Sequence, residues 1–218
     1  MRNYLYETIG TFALVLFGTG AIIAGQQFDG VVTHTGVSIT WGVIVAVMIY
    51  IFGSKSGAHI NPAVSIAFTV AGHFSIKKLP AYIISQLTGA LLASVLLKLL
   101  FPANQLLGAT MPSGTEIQSF LFELLLTFLL MFAVLLFAHG SKETGRFAGL
   151  GIGTVVGLEA FFAGPVCGAS MNPARSIAPA IVSGHTEHLW IYVVATIAGA
   201  CLAIPAFNLI RIRSVKSI

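Results

Sequence analysis

Charge is what these 218 residues lack: Asp, Glu, Lys and Arg make up 8% of the chain, where a soluble domain carries about a quarter. A water-facing globular surface cannot be built from so few. Cysteine is as scarce. Cys167 and Cys201 lie in apolar context, with neither metal-ligand spacing nor a disulfide framework, and both read as small hydrophobes. No segment brings together a nucleophile, a base and an orienting acid, which argues against an enzyme, and nothing implies a cofactor or a metal. Long basic tracts are missing too, which argues against a nucleic-acid partner.

Apolar residues take the vacant share, 56% of the chain. Six runs, near residues 4–24, 36–52, 79–101, 117–139, 147–165 and 189–210, each approach the roughly 20 residues that cross a bilayer core of about 30 Å. The sequence therefore predicts an all-α membrane protein with six spans, its solvent a lipid bilayer. Arg2 ahead of an apolar run also suits a signal peptide, but an internal repeat needs this segment as a first span. The basic residues are unevenly placed. With both termini cytoplasmic, Arg2, Lys55, Lys77, Lys78, Lys142, Arg146, Arg211, Arg213 and Lys216 fall inside, as positive-inside orientation requires, and only Lys98 and Arg175 are left over. The expectation is a multi-pass protein of the cell membrane.

The chain repeats itself. "ETIGTF" from Glu7 is echoed by "ELLLTF" from Glu123, "YIISQLTGALLA" from Tyr82 by "YVVATIAGACLA" from Tyr192, and "GAHINPAVS" from Gly57 by "GASMNPARS" from Gly168. One channel-forming domain over 1–218 would then hold two halves, about 1–104 and 115–218. Three spans per half is an odd number, so the second half enters the membrane inverted. Small residues at four-residue spacing mark close helix approaches in both halves: Ser38, Gly42 and Ala46 with Gly149, Gly153 and Gly157, then Ser85, Gly89 and Ala93 with Ala195, Gly199 and Ala203.

Between spans, residues 61–72 would make a helix of about 18 Å, half a membrane. Asn61-Pro62 and Asn172-Pro173 are an N-cap followed by a first-turn proline, so each starts such a half-helix. Inverted symmetry brings the two tips together at the midplane. The preceding "GAHI" and "GASM" are then extended backbone inside the membrane, tolerated only where it lines a water-filled cavity. Two positive dipole ends and the amides of Asn61 and Asn172 face the centre, and the carbonyls of Gly57, Ala58, His59, Gly168, Ala169 and Ser170 line the wall as acceptors. Such a lane suits neutral molecules that carry both donors and acceptors. Arg175, on the face of Asn172, adds a fixed positive charge that excludes cations and protons.

At these residues the chain resembles the aquaporin family, the major intrinsic proteins. The resemblance covers essentially the whole length and is closest to the nodulin-26-like branch and its bacterial relatives. It implies a channel for water and small uncharged solutes, with Asn61, Pro62, Ala63, Asn172, Pro173 and Ala174 at the pore centre. It also implies a four-residue filter of Trp41, Ala160, Ala169 and Arg175. Two alanines, with Ala160 where water-selective members carry His, imply a wide gate. Trp41, a flat apolar wall opposite Arg175, suits glycerol or metalloid hydroxides such as boric and arsenous acid. Ser176, where glycerol facilitators carry Asp, weighs against glycerol, and a water-selective pore is the alternative. The family implies homotetramers, and it uses carboxylates such as Glu7 and Glu123 to hold the re-entrant loops.

Other polar residues carry weaker expectations. His59 is placed in the inner vestibule, with pH sensing as the sharper reading. His34, His73, His139, His185 and His188 fall near loops and need no role beyond solubility, and Phe161 and Phe162 read as lipid or core contacts. Glu159 stands out. A mid-span carboxylate costs about 2.5–3.5 kcal/mol to insert, so it is expected to pack as a neutral acid or to hydrogen-bond behind the filter to a loop carbonyl or Arg175. A coupled transporter would use it as its proton site.

Overall fold

Small residues decide where the long helices cross. A computed structural model describes the backbone of residues 2–216 and the side chains of residues 2–210, so the side chains of Arg211, Arg213 and Lys216 lie outside the described residues. It is all helical: α1 (Arg2–Gln27), α2 (His34–Ser56), α3 (Pro62–Val70), α4 (Leu79–Leu100), α5 (Glu116–Ala138), α6 (Lys142–Arg146), α7 (Ala148–Cys167), α8 (Pro173–Ser183) and α9 (Leu189–Lys216). Six of these, α1, α2, α4, α5, α7 and α9, are long and apolar enough to cross a membrane. Side-chain caps start the helices where the sequence supplies them, with Thr33 accepting from Gly36 N and Thr115 from Gln118 N.

Glycines set the crossings. A Cβ on Gly89 would run into the Thr8 carbonyl and the Phe12 amide of α1, and one on Gly199 into the Leu124 carbonyl and Phe128 amide of α5. The pairs α1/α4 and α5/α9 therefore pack in the same way. The other two ladders meet each other, since a Cβ on Gly42 would lie 2.7 Å from Gly153 O and one on Gly149 2.9 Å from Ala46 O. Thus α2 packs directly on α7, backbone to backbone. Outward faces carry Phe17, Ile84, Leu121, Phe161 and Phe162 more than half exposed, an apolar surface that water would not tolerate and lipid does.

Contacts at the helix ends sort the loops into two sets. Tyr4 packs on Tyr82, whose hydroxyl bonds Ser56 O at 2.8 Å, and Lys55 lies over the Tyr6 ring, so α1 and α4 begin where α2 ends. His73 meets His139 at the same end. At the opposite end Asn104 bonds Gln26, and His188 bonds Glu116. Lys55, Lys77, Lys78, Lys142 and Arg146 all belong to the first end, which we call the N-terminal end.

Two short helices complete the bundle. The sequence predicts a half-helix over 61–72, and α3 stops at Val70 because Gly72, at φ 76°, closes a left-handed cap. With 9 residues in α3 and 11 in α8, the two together measure about 30 Å at 1.5 Å per residue, one bilayer core. His34 also departs from the expectation of a merely soluble loop residue. Its Nε2 lies 2.7 Å from Phe161 O and its ring stacks on Phe161, tying the start of α2 to α7.

If backbone contact holds the α5/α9 crossing, Gly199→Val should overpack it by about 1–3 kcal/mol and lower the thermal unfolding midpoint in detergent, whereas Gly145→Ala, with nothing within 4 Å of the added carbon, should not. Equal midpoints for the two variants would refute the packing argument.

Candidate functional site: two re-entrant loops around a central cavity

Each half-helix is preceded by five residues of non-helical backbone that the chain forces into an unusual shape. Gly57 and Gly168 end α2 and α7 at φ 90° and 88°. Ala58, Ile60, Ala169 and Met171 then sit at φ 45°, 42°, 42° and 53°, a region that costs a side-chain-bearing residue about 1–3 kcal/mol. A β-branched Ile there is the most unfavourable of the four. Two buried carboxylates hold the shape. Glu7 accepts from His59 N at 3.0 Å and Ile60 N at 2.7 Å, as well as from Ser56 Oγ and Gln86 Nε2. Glu123 accepts from Ser170 N at 2.8 Å and Met171 N at 2.9 Å.

The loops deliver two asparagines to one point. Asn61 and Asn172 have nearly the same backbone, φ −156° ψ 119° and φ −153° ψ 111°, and each Oδ1 caps its own helix by accepting from Ala63 N or Ala174 N. Their amides reach across: Asn61 Nδ2 donates to Met171 O at 2.7 Å, and Asn172 Nδ2 to Ile60 O at 2.9 Å. The half-helices are therefore joined tip to tip. An amide NH2 has two hydrogens, so each Asn keeps one donor beyond this clasp.

A cavity of about 400 Å³ runs to this clasp from the N-terminal end, where Tyr50, Ala138 and Arg146 form its rim. Gly57, Ala58, His59, Ala169 and Ser170 lie on its wall with both asparagines, as do Trp41 and Arg175. Among the described residues no chain group bonds the carbonyls of Ala58, His59, Ala169 or Ser170, which leaves them as acceptors. Gly168, Pro62, Ala63, Pro173, Ala174 and Ala160 are not on this wall. Ala63 and Ala174 are wholly buried between helices, and Ala160 is buried in the apolar cluster that also holds Trp41 and Ala169.

Arg175 is buried, with Nη1 donating to Gly108 O at 2.8 Å. Trp41 does not stand opposite it across a gap. The guanidinium carbon lies 4.8 Å from the indole centroid, a cation–π stack. Gly18 makes this arrangement fit, because a Cβ there would overlap the Trp41 ring.

The family model described as Major intrinsic protein matches residues 1–207. The chain belongs to the major intrinsic protein family. It is similar to aquaporin NIP1-1 of Zea mays, with 43% identity over 212 residues that cover 97% of this chain and 75% of that protein. Nodulin-26 of Glycine max is 40% identical over 212 residues, covering 97% and 78%. The X-ray structure of the aquaglyceroporin from Plasmodium falciparum superposes with a TM-score of 0.87 at 25% identity, over 100% of this chain and 99% of that one. As a member of this family the protein is a multi-pass membrane channel for water and small uncharged solutes, and not an enzyme.

Within this major intrinsic protein, several site residues escaped the sequence reading. Gln86 bridges Glu7 and Ser65, and Thr110 bonds Ser176, which in turn meets Ser170. The signal for Gln86 was available, as a polar residue inside an apolar span. Gly108 and Thr110 come from the long connection between α4 and α5 and carried none. Ser176 is thus a joint between α8 and that connection. His59 lines the cavity with Nδ1 3.0 Å from Ser65 Oγ, packed by Phe68, Phe74 and Tyr82. Of the two expectations for Glu159 the structure disfavours one: both carboxyl oxygens are buried without a hydrogen-bond partner among the described residues, so it packs in the span and ties neither a loop carbonyl nor Arg175.

Removing the Glu123 acceptor strands two buried N–H groups at about 1–3 kcal/mol each. Glu123→Leu should therefore lose both thermal stability and water permeability, and Glu123→Gln, which keeps one acceptor oxygen, should lose less. Indistinguishable behaviour of the two would show that the loop does not depend on these bonds. Glu159→Met should act oppositely, raising the unfolding midpoint because an unpaired polar group is exchanged for an apolar one of similar shape. A lower midpoint would mean that Glu159 has a partner this structure does not show.

Proposed function

We propose that this channel passes small uncharged polyhydroxy molecules, namely glycerol and metalloid hydroxides such as arsenous or boric acid, alongside water, while excluding ions and protons. The clasped Asn61 and Asn172 at the inner end of the cavity carry the reading. They place two helix N-termini and two spare amide donors beside a row of free carbonyls, so a neutral molecule with hydroxyls can exchange water for wall bonds at every step. A cation meets two positive dipole ends and a buried Arg175, with no acidic side chain on the cavity wall.

In this reading Asn61, Pro62, Ala63, Asn172, Pro173 and Ala174 form the pore centre, and Trp41, Ala160, Ala169 and Arg175 form the filter. Arg175 spends one of its five donors on Gly108 and offers others to solute hydroxyls, while Trp41 and the Ala169 methyl face the carbon skeleton and Ala160, packed behind them in the apolar cluster, sets how much room they leave. Nodulin-26-like relatives and a likeness to an aquaglyceroporin support a solute wider than water. Both termini lie in the cytoplasm of a cell-membrane protein, on the strength of the basic residues gathered at the N-terminal end. The halves 1–104 and 115–218 act as inverted repeats of one channel domain, and four copies assemble, each with its own pore.

The test is permeability to water, glycerol, urea and arsenous acid in one proteoliposome preparation. Wild type should pass glycerol or arsenous acid. Ala160→His should cut that flux at least about tenfold, equivalent to about 1.4 kcal/mol of barrier, and spare water. Unchanged glycerol and arsenous acid flux in a normally inserted variant would remove Ala160 from the filter, and a wild type that passes water alone would establish the water-selective alternative.

A further inference from the structure

Outside the pore wall, two imidazoles meet at the N-terminal end of the bundle. His73 Nε2 lies 3.0 Å from His139 Nε2, with ring centroids 4.4 Å apart. Helix ends fix both. His139 is the C-cap of α5, and its ring Nδ1 sits 3.0 Å from Leu135 O, one turn back. A carbonyl only accepts, so Nδ1 carries hydrogen and Nε2 presents its lone pair. Metal-binding histidines are held in this way, donating the second ring N–H to a backbone carbonyl. Phe207 covers one side of the ring at 5.1 Å. His73 follows Gly72, and its N–H closes the cap of α3 by bonding Phe68 O at 2.9 Å. Two helix C-termini thus converge on the pair, and their dipoles favour a cation.

We propose that His73 and His139 form a two-nitrogen site for a divalent transition-metal ion, of which zinc is the type, at the rim of the channel's inner cavity. Imidazole nitrogens bound at about 2.0–2.1 Å with a tetrahedral angle stand roughly 3.3 Å apart. The observed 3.0 Å is a few tenths of an ångström short of this, and the rings, with centroids 4.4 Å apart, also turn outward to aim both lone pairs at one ion, which the exposed His73 loop permits. Binding requires the hydrogen now between the two Nε2 atoms to exchange off His73 Nε2 through solvent, as ligation of a metal by imidazole demands. Water completes the coordination, since among the described residues no group of three His, Cys, Asp or Glu side chains forms there. The bound ion ties α3 to α5 through the neighbours Phe68 and Ala138, which line the cavity. None of this depends on which solute the pore passes.

Zinc binding to the full-length protein, purified in detergent with a tag free of histidine, tests the site, with cobalt(II) as the probe whose visible spectrum reports imidazole ligation. Wild type should bind one ion per chain. His73→Ala and His139→Ala should each weaken binding at least about tenfold, the lower range for losing even an outer-shell partner, and remove the cobalt signal. His139→Gln, which keeps a polar cap on α5, should weaken it as much, separating lost ligation from a disturbed helix end. His34→Ala and His185→Ala, at the opposite end, should change nothing. The proposal is overturned if wild type binds no zinc, if the His73 and His139 variants bind as wild type does, or if the loss follows His34 or His185 instead.

Discussion

A membrane interior offers backbone no water, so every N–H and C=O placed there must be bonded by protein or open onto a wet cavity. That constraint shapes this molecule. Ten residues, 57–61 and 168–172, depart from helix inside the bundle, and four of them with side chains take left-handed conformations. Their amides and carbonyls are divided. The amides of His59, Ile60, Ser170 and Met171 are taken by Glu7 and Glu123, and the carbonyls of Ile60 and Met171 by the two asparagines, which leaves those of Ala58, His59, Ala169 and Ser170 to the lumen. Strain of about 1–3 kcal/mol per left-handed residue is of the same order as the bonds that hold it. Neither loop would keep its shape on backbone preference alone.

Much of this was legible because it is written as pattern. Apolar runs of span length, glycine ladders at four-residue spacing and Asn-Pro at two half-helix starts each have a short physical reading, and the helices and the clasp follow them. What stayed hidden depends on where side chains meet. Ile60 and Met171 look like ordinary hydrophobes, yet their carbonyls receive the two asparagine amides. Trp41 was expected across from Arg175, but Gly18 opens a socket that lets the indole lie on the guanidinium. Gly108 holds Arg175 from a connection that shows no periodicity. Glu159 was the reverse case, a conspicuous residue whose hydrogen-bonding role did not materialise.

The two loops also show what their shared motif does not determine. His59 and Ser170 occupy equivalent places, and each bonds the serine six residues on, Ser65 and Ser176. One bond is made by an imidazole and the other by a hydroxyl, so the loop fold tolerates either. Three residues past each asparagine the halves diverge further, with Val64 in the first and Arg175 in the second, both on the cavity wall. Helix geometry puts these two side chains in matching positions on opposing half-helices. One therefore offers hydrocarbon and the other a fixed charge with directed donors. The clasp of asparagines is shared by both halves and can only set a symmetrical barrier to ions. Discrimination among neutral solutes has to come from where the halves differ, which makes the environment of Arg175, with Gly108, Trp41 and Gly18 around it, the part of this fold most open to change of specificity without change of architecture.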